Sequence, residues 1–315
     1  MSYFSQKTLI CIAGPTAVGK TALSLHLAKR YDTAIVSADA RQVYCYLDIG
    51  TAKPTPEERG DIPHAFIDIL TPDQPYNAGL FAREARQWLD DWFETHEVAI
   101  VAGGSTLYLD ALLYGMDAIP PASGEVREAL KLTFEQEGLS PLLAELATVD
   151  PATYAVVDRQ NPARIIRALE VWRSSGHPIS AFRTGPKSPA LPWQVITIGL
   201  TDDRDRLYDR INRRVDEMMD RGLLQEVTGL LNMGYSPDLH ALQTIGYQEL
   251  IAFLQGQTDL TAAVERIKQN SRRYAKRQLT WMRRYEDITW VEAGTVRTPG
   301  GAFREEWLDA LLHGR

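Results

Sequence analysis

Gly14-Pro15-Thr16-Ala17-Val18-Gly19-Lys20-Thr21 is the stretch that decides the fold. It is a complete Gly-x-x-x-x-Gly-Lys-Thr loop, and its flanks suit it. The apolar run over 9–13 (Leu-Ile-Cys-Ile-Ala) reads as a buried strand, and Leu23, Leu25, Leu27 and Ala28 carry the apolar spacing of a helix. A strand, a glycine turn and a helix N-terminus together aim several backbone N–H groups at one point, which suits a phosphate group. Lys20 adds a mobile positive charge, and the Thr21 hydroxyl is placed to ligate Mg²⁺. An ordinary βα turn is the alternative, and the full motif in this context outweighs it. The ligand expected here is phosphorylated.

Outward from the loop, residues 7–115 alternate apolar strand-like runs with helical stretches, the signature of an α/β fold with a parallel sheet. Strands are expected over 33–37, 65–70 and 98–102, with a helix over about 77–95 and another opening at Ser105. From residue 117 the texture changes. A breaker cluster over 119–124 leads into residues 125–175, which read as successive helices, and strand character returns only over 194–200, after the Pro/Gly-rich stretch 184–192. The expected architecture is therefore a P-loop, nucleotide-kinase-like parallel sheet flanked by helices, with an inserted all-helical domain. Residues 1–117 and 191–315 would form the core with its C-terminal helices, and 118–190 the insertion. A last short strand at Trp290-Val291 and a helix over 303–313 complete the expectation.

The 315 residues suffice for one large core plus a smaller domain. With 24% charged and 44% hydrophobic residues the composition is that of a soluble globular protein. No apolar run approaches the roughly 20 residues needed to span a bilayer. The first residues show no secretion signal, and Cys11 and Cys45 form no metal-spacing pair, so a reducing cytoplasm is expected. The six histidines are scattered, with the spacing of surface or packing residues rather than of a metal site. A monomer is the default expectation.

Asp39 falls just past the carboxyl end of the second strand, the edge at which open parallel sheets bind ligands. A carboxylate there could take a proton or help hold Mg²⁺, or merely cap a turn. The strand over 98–102 ends in Gly-Gly rather than in an acid, and no other strand obviously supplies the metal-binding acid of nucleotide hydrolysis. Ser105 reads first as a helix N-cap. Arg210, Arg213 and Arg214 lie on a helix whose Ile211, Val215 and Met218 should face the core. A solvated face is the default for these arginines, and a diphosphate clamp the alternative.

The net charge is −7, yet residues 264–285 run against it. At about 100° per residue, Val264, Ile267, Tyr274, Gln278, Trp281, Met282 and Tyr285 share one helix face. Arg266, Arg272, Arg273, Lys276, Arg277, Arg283 and Arg284 fall opposite, the electrostatic footprint expected for a nucleic-acid backbone. Arg159, Arg164, Arg167 and Arg173 make a second, smaller patch in the insertion.

These segments together resemble the bacterial tRNA dimethylallyltransferase (tRNA isopentenyltransferase) family from residue 8 to about 290. The resemblance rests on the phosphate loop, on Ser-Ala-Asp-Ala-Arg-Gln-Val-Tyr over 37–44 and on Asp-Ile-Gly-Thr-Ala-Lys-Pro over 48–54. It continues in Gly-Gly-Ser-Thr-Leu-Tyr over 103–108, Asn-Pro-Ala-Arg-Ile-Ile-Arg-Ala-Leu-Glu over 161–170, Thr-Ile-Gly-Tyr over 244–247 and Lys-Arg-Gln-Leu-Thr-Trp over 276–281. It implies transfer of a dimethylallyl group from dimethylallyl diphosphate to the exocyclic amine of the adenosine 3′ to the anticodon, with the tRNA anticodon stem-loop as partner and Mg²⁺ as cofactor. Asp39 matches the general base. The 14–21 loop, with Lys20, Thr21 and its Mg²⁺, and Arg214 would hold the departing diphosphate, and Ser105 matches a position where many members carry Thr, assisting at the diphosphate or the base. Segments that meet the tRNA in the family match Asp39, Ala40, Arg41, Gln42, Ser105 and Arg127, and in the insertion Ala163, Arg164, Ile165, Ile166 and Arg167. They also match Gln243, Thr244, Ile245, Gly246, Tyr247 and Gln248, together with Lys276, Arg277, Gln278, Trp281 and Arg283. The chain departs from the family at Ala40, usually Ser, which removes a hydroxyl near the target base. A diphosphate that leaves rather than being hydrolysed also accounts for the unplaced metal-binding acid. A phosphoryl-transferring kinase of the same core is the competing enzyme, and a tRNA-binding protein with a degenerate loop the competing non-enzyme.

Overall fold

The computed structural model describes residues 4–183, 191–298 and 301–313; most of the Pro/Gly-rich stretch at 184–192 lies outside them. Six strands run in chain order: β1 (Thr8–Ala13), β2 (Ile35–Ser37), β3 (His64–Ala65), β4 (Val98–Gly103), β5 (Gln194–Thr201) and β6 (Ile288–Glu292). They form one sheet in the order β3-β2-β4-β1-β5-β6, and every pairing is parallel. Parallel pairing needs crossovers, and helices supply them. Between β1 and β4 come α1 (Lys20–Tyr31), the one-turn α2 (Pro56–Arg59) and α3 (Ala78–Trp92). After β4 follows α4 (Thr106–Tyr114), and after β5 follow α9 (Arg204–Asp220), α10 (Leu223–Asn232), α11 (Tyr247–Leu254) and α12 (Leu260–Met282), with α13 (Glu305–His313) last. No helix of the described residues is long and apolar enough to cross a membrane.

The central strand explains why the fold forms around it. Leu9, Ile10, Cys11 and Ile12 have no exposed surface, and β1 is sandwiched between β4 and β5, with Ala13 level with Gly103 and Gly199. Leu23 and Leu27 of α1 close over it in the same core as Ile198 and Ile211. Each such side chain contributes roughly 1.5–3 kcal/mol on burial. Burial also pushes the Cys11 thiol up to about 12, so it packs as a small hydrophobe. Polar caps fix where helices start. Asn77 accepts from the N–H groups of Gly79 and Leu80 at 3.0 Å, and Asp259 accepts from Ala262 at 2.8 Å.

Two expectations for this sheet change. The run over 65–70 leaves it after Ala65, because Phe66 and Asp68 adopt left-handed backbone (φ 64° and 55°) that breaks a strand. An acid does follow a strand, Asp202 after β5, where the sequence reading placed none; it is committed to arginines, as described below.

Residues 114–189 make a second compact unit. It holds α5 (Gly124–Glu137), α6 (Ser140–Val149), α7 (Pro151–Val156) and α8 (Pro162–Ser175), and its own core of Leu130, Leu142, Leu146, Ile165 and Leu169.

Candidate active site

Because the carboxyl ends of β1, β2 and β4 finish side by side, the loops that follow them converge. The first is the phosphate loop. Gly19 (φ 109°) turns the chain into α1, and Ala17 adopts left-handed backbone (φ 63°), a conformation costly for any residue with a Cβ. The Lys20 ammonium folds back onto the carbonyls of Gly14 (3.0 Å) and Pro15 (2.9 Å). Burial, and the nearby Arg214 charge, push its pKa down to about 8, with Asp39 acting in the opposite sense. Thr21 stands exposed at the loop's end.

The second is the loop after β2. Asp39 Oδ1 accepts from the N–H groups of Arg41 (2.9 Å) and Gln42 (3.3 Å), closing a local turn, while Oδ2 has no hydrogen-bond partner among the described residues. The turn thus occupies one carboxylate oxygen and leaves the other available for chemistry. The third is the Gly-Gly turn after β4. Ser105 does not cap α4 as expected: its Oγ accepts from the Ala40 N–H at 2.9 Å, tying the third loop to the second. Ala40, short as it is, contributes its backbone.

Three adjoining cavities share these residues. The first, about 450 Å³, is lined by Thr16, Asp39, Arg41, Ser105, Arg214, Thr244, Tyr274 and Arg277 on its polar side. Ile211, Val215, Met218, Ile245 and Ile267 give it an apolar wall, so the face of α9 assigned to the core also serves the cavity. A smaller one lies between Lys20, Thr21, Ser37 and Asp39. The third, about 540 Å³, is lined by Gly19, Lys20, Thr21, Arg210, Arg213, Arg214 and Arg221. Asp39 lines the first two, Lys20 and Thr21 the last two, and Arg214 the first and third. Burial lowers the Arg214 pKa, and the Asp39 carboxylate opposes that shift.

Supporting side chains hold the loops in place. Arg210 is no solvated arginine: its Nε donates to the Ala17 carbonyl (3.0 Å) and its Nη1 pairs with Asp202 (2.6 Å), which Arg206 also engages. Glu226 on α10 accepts from the consecutive N–H groups of Asp48 (3.1 Å), Ile49 (2.7 Å) and Gly50 (3.1 Å) and from the Tyr247 hydroxyl (2.5 Å). A Cβ at Gly50 would lie 2.4 Å from the Tyr247 ring, so only glycine fits there. Arg41 reaches His240 Nδ1 (3.2 Å) and the Gln243 carbonyl (3.4 Å). Tyr274, assigned from its periodicity to the buried face, lines the first cavity; burial and Asp39 push its hydroxyl up to about 12.

The residues matched to tRNA-meeting segments divide. Ala40, Arg41, Thr244 and Ile245 are partly exposed and line the first cavity, Gln42 is partly exposed and lines the smaller one, and Gln243, Gln248, Lys276, Arg277 and Arg283 are exposed. Tyr247 and Gln278 are buried, as is the Gly246 backbone, and Trp281 donates its Nε1–H to Asp110 (2.8 Å). In and just past the basic helix, which ends at Met282, Arg272 is taken up by Asn212, whereas Arg266, Arg273, Lys276, Arg277, Arg283 and Arg284 stay exposed. In the second unit Ile165 and Ile166 are core residues, and Ala163 and Arg164 are exposed. The buried Glu170 binds Arg127 (2.7 Å) and Arg167 (3.2 Å), and Arg173 pairs with Glu145 (2.5 Å), so the smaller patch is partly neutralised.

An open parallel sheet with an intact phosphate loop, a carboxylate and clustered arginines at its carboxyl edge defines a P-loop α/β protein. The IPP transferase family model matches residues 42–285, beginning just past the phosphate loop and Asp39. The tRNA dimethylallyltransferase of Cytophaga hutchinsonii is 48% identical over 293 residues, covering 93% of this chain and 95% of that protein. The tRNA dimethylallyltransferase 1 of Bacteroides thetaiotaomicron is 47% identical, covering 90% and 91%. Among solved structures, a tRNA isopentenylpyrophosphate transferase from Bacillus halodurans superposes with a TM-score of 0.67 at 38% identity, covering 91% and 90%. A eukaryotic dimethylallyltransferase acting on tRNA superposes at 0.77 with 25% identity, covering 98% of this chain and 77% of that one. The chain belongs to the IPP transferase family.

Proposed function

We propose that this protein transfers the dimethylallyl group of dimethylallyl diphosphate to the exocyclic amine of the adenosine 3′ to the anticodon in tRNA, releasing diphosphate. The observation that carries the reading is the placement of Asp39, with a free carboxylate oxygen, between the cavity of the phosphate loop and the larger one with its apolar wall. The diphosphate lies against the N–H groups of the 14–21 loop, Lys20 and Arg214, and the five-carbon chain against Ile211, Val215 and Met218. In the transfer, the bond from the allylic carbon to the diphosphate oxygen breaks and a bond from that carbon to the adenine nitrogen forms. Asp39 Oδ2 takes the amine proton. Negative charge growing on the diphosphate meets donors already in place. Ser105, through Ala40, keeps the Asp39 loop at that spot.

The Thr21 hydroxyl lines one small cavity beside Lys20, a hard oxygen donor that suits Mg²⁺ completed by diphosphate oxygens and water. Bound there, Mg²⁺ would offset charge on the leaving diphosphate. The exposed cations of α12 grip the RNA backbone, and the adenine must leave the anticodon-loop stack to reach Asp39. A tRNA substrate puts the enzyme in the cytoplasm, and one chain carries the groups the chemistry needs, which suits a monomer. A kinase of the same core would need neither the cationic helix nor the apolar wall.

The test is to incubate the protein with an unmodified tRNA transcript, Mg²⁺ and dimethylallyl diphosphate and to weigh the RNA by mass spectrometry. One added dimethylallyl group on the anticodon-adjacent adenosine is expected. Unchanged RNA, with ATP consumed on a small acceptor, would return the site to the kinases.

A further inference from the structure

Gln278 sits in the middle of the α12 segment matched to tRNA contacts, yet it is 3% exposed. Its side chain points away from the exposed Lys276 and Arg277 and into the site. Oε1 accepts from the Thr16 N–H of the phosphate loop at 2.9 Å, and Nε2 donates to the Gly104 carbonyl, next to Ser105, at 2.7 Å. One partner can only donate and the other only accept, so the amide orientation is fixed by its surroundings. The Gly-Gly turn is shaped around it: a Cβ at Gly104 would fall 2.4 Å from Nε2. The next turns of the same face are fastened too, with Tyr274 over the Gly104 carbonyl and Trp281 on Asp110.

We infer that Gln278 is a positioning residue that links RNA binding on α12 to diphosphate binding in the phosphate loop, rather than a tRNA contact. The inference rests on the transferase reading of the site. Thr16 opens the loop that cradles the diphosphate, and Gly104 leads into Ser105, so one amide sets the spacing of both against the cationic helix. Whatever RNA does to the position of α12 reaches the loop through this amide, and by thermodynamic reciprocity diphosphate affects RNA affinity by the same factor. Removing a buried two-bond bridge leaves the Thr16 N–H and the Gly104 carbonyl without it.

The experiment measures, by calorimetry, binding of Mg²⁺-diphosphate with and without an unmodified anticodon stem-loop RNA, and of the RNA alone. Wild-type protein should bind diphosphate several-fold more tightly with RNA present. Gln278→Met should bind diphosphate about five- to tenfold more weakly, keep RNA affinity within about twofold and lose the enhancement. Gln278→Glu, which keeps the acceptor for Thr16 and loses the donor to Gly104, should fall between and serves if the Met variant does not fold. Lys276→Ala should weaken RNA binding and leave diphosphate binding without RNA unchanged. An enhancement that survives in both Gln278 variants, no enhancement in wild type, or an RNA loss in Gln278→Met as large as that of Lys276→Ala would each overturn the inference. Wild-type protein that shows the enhancement yet transfers no prenyl group would leave the inference standing and overturn the reaction.

Discussion

The ammonium of Lys20 is held by the carbonyl of Gly14, the first residue of its own loop, at 3.0 Å. The cation proposed to meet the diphosphate is thus held inside the loop, partly out of water and beside Arg214, which is why its pKa falls to about 8. Diphosphate binding should then depend on pH in a set direction. The charged form of Lys20 binds the anion, so affinity is full below about 8 and declines above it, by up to about tenfold per pH unit. Calorimetric titrations from pH 7 to 9.5 would show this slope, and Lys20→Met, with weaker binding throughout, should lack it. An equal slope in that variant would assign the titration elsewhere.

Asp39→Asn keeps the turn, because an amide oxygen can accept from Arg41 and Gln42 as Oδ1 does. The amide cannot take a proton. Transfer should fall about 10²- to 10⁴-fold, with stem-loop and diphosphate affinities changed by less than about threefold. Single-turnover rates alongside binding measurements separate the two effects; a variant that fails chiefly in binding would contradict the role as base.

The exposed cations of α12 predict a salt signature. For Lys276→Ala with Arg277→Ala, the slope of log affinity against log salt should shrink by about 1–2, with weaker binding across unrelated tRNA sequences. Fluorescence anisotropy between 50 and 300 mM salt (roughly the range where such slopes are read) is the measurement. An unchanged slope would place the RNA on another face.

Asp110 accepts from Trp281 through Oδ2 while Oδ1 is buried without a partner among the described residues, and burial pushes its pKa from 3.8 to about 6. The folded state therefore binds this proton more tightly than the unfolded chain. The stability it contributes is present at low pH and is lost as pH rises from about 4 through 6. Asp110→Asn retains an acceptor for Trp281 and removes the charge. It should stabilise the protein by roughly 1–2 kcal/mol at pH 7.5, partial exposure considered, and by nothing at pH 4. Urea unfolding at both values decides it.

What could be read from the sequence was local. The phosphate loop and its flanking strand and helix are contiguous, so spacing alone located the loop. Asp39 was placed because a strand end fixes a position, and the basic helix because 3.6-residue periodicity sorts charge from apolar surface. The rest depended on partners distant in the chain. Periodicity put Gln278 on the buried face, yet its bonds to Thr16 and Gly104 span 262 and 174 positions. Arg210 read as solvated because nothing nearby marks Ala17 or the strand-end Asp202 as its partners. Ser105 sits where an N-cap would, and only the approach of the Ala40 N–H redirects its hydroxyl. Glu226 carries no local mark in the sequence, and only the folded chain brings the 48–50 backbone to it.

The strand at the centre of the sheet also governs how the molecule comes into being. Thr8 pairs with Val98 on one side and with Gln194 on the other. This strand is made before either partner and waits for both, the second made only after the helical unit 114–189. Contacts so far apart along the chain slow folding and leave apolar strand edges uncovered meanwhile. A nascent chain halted between synthesis of Val98 and of Gln194 would hold its phosphate loop before the sheet that fixes it is complete, with apolar strand edge exposed to whatever chaperones attend it.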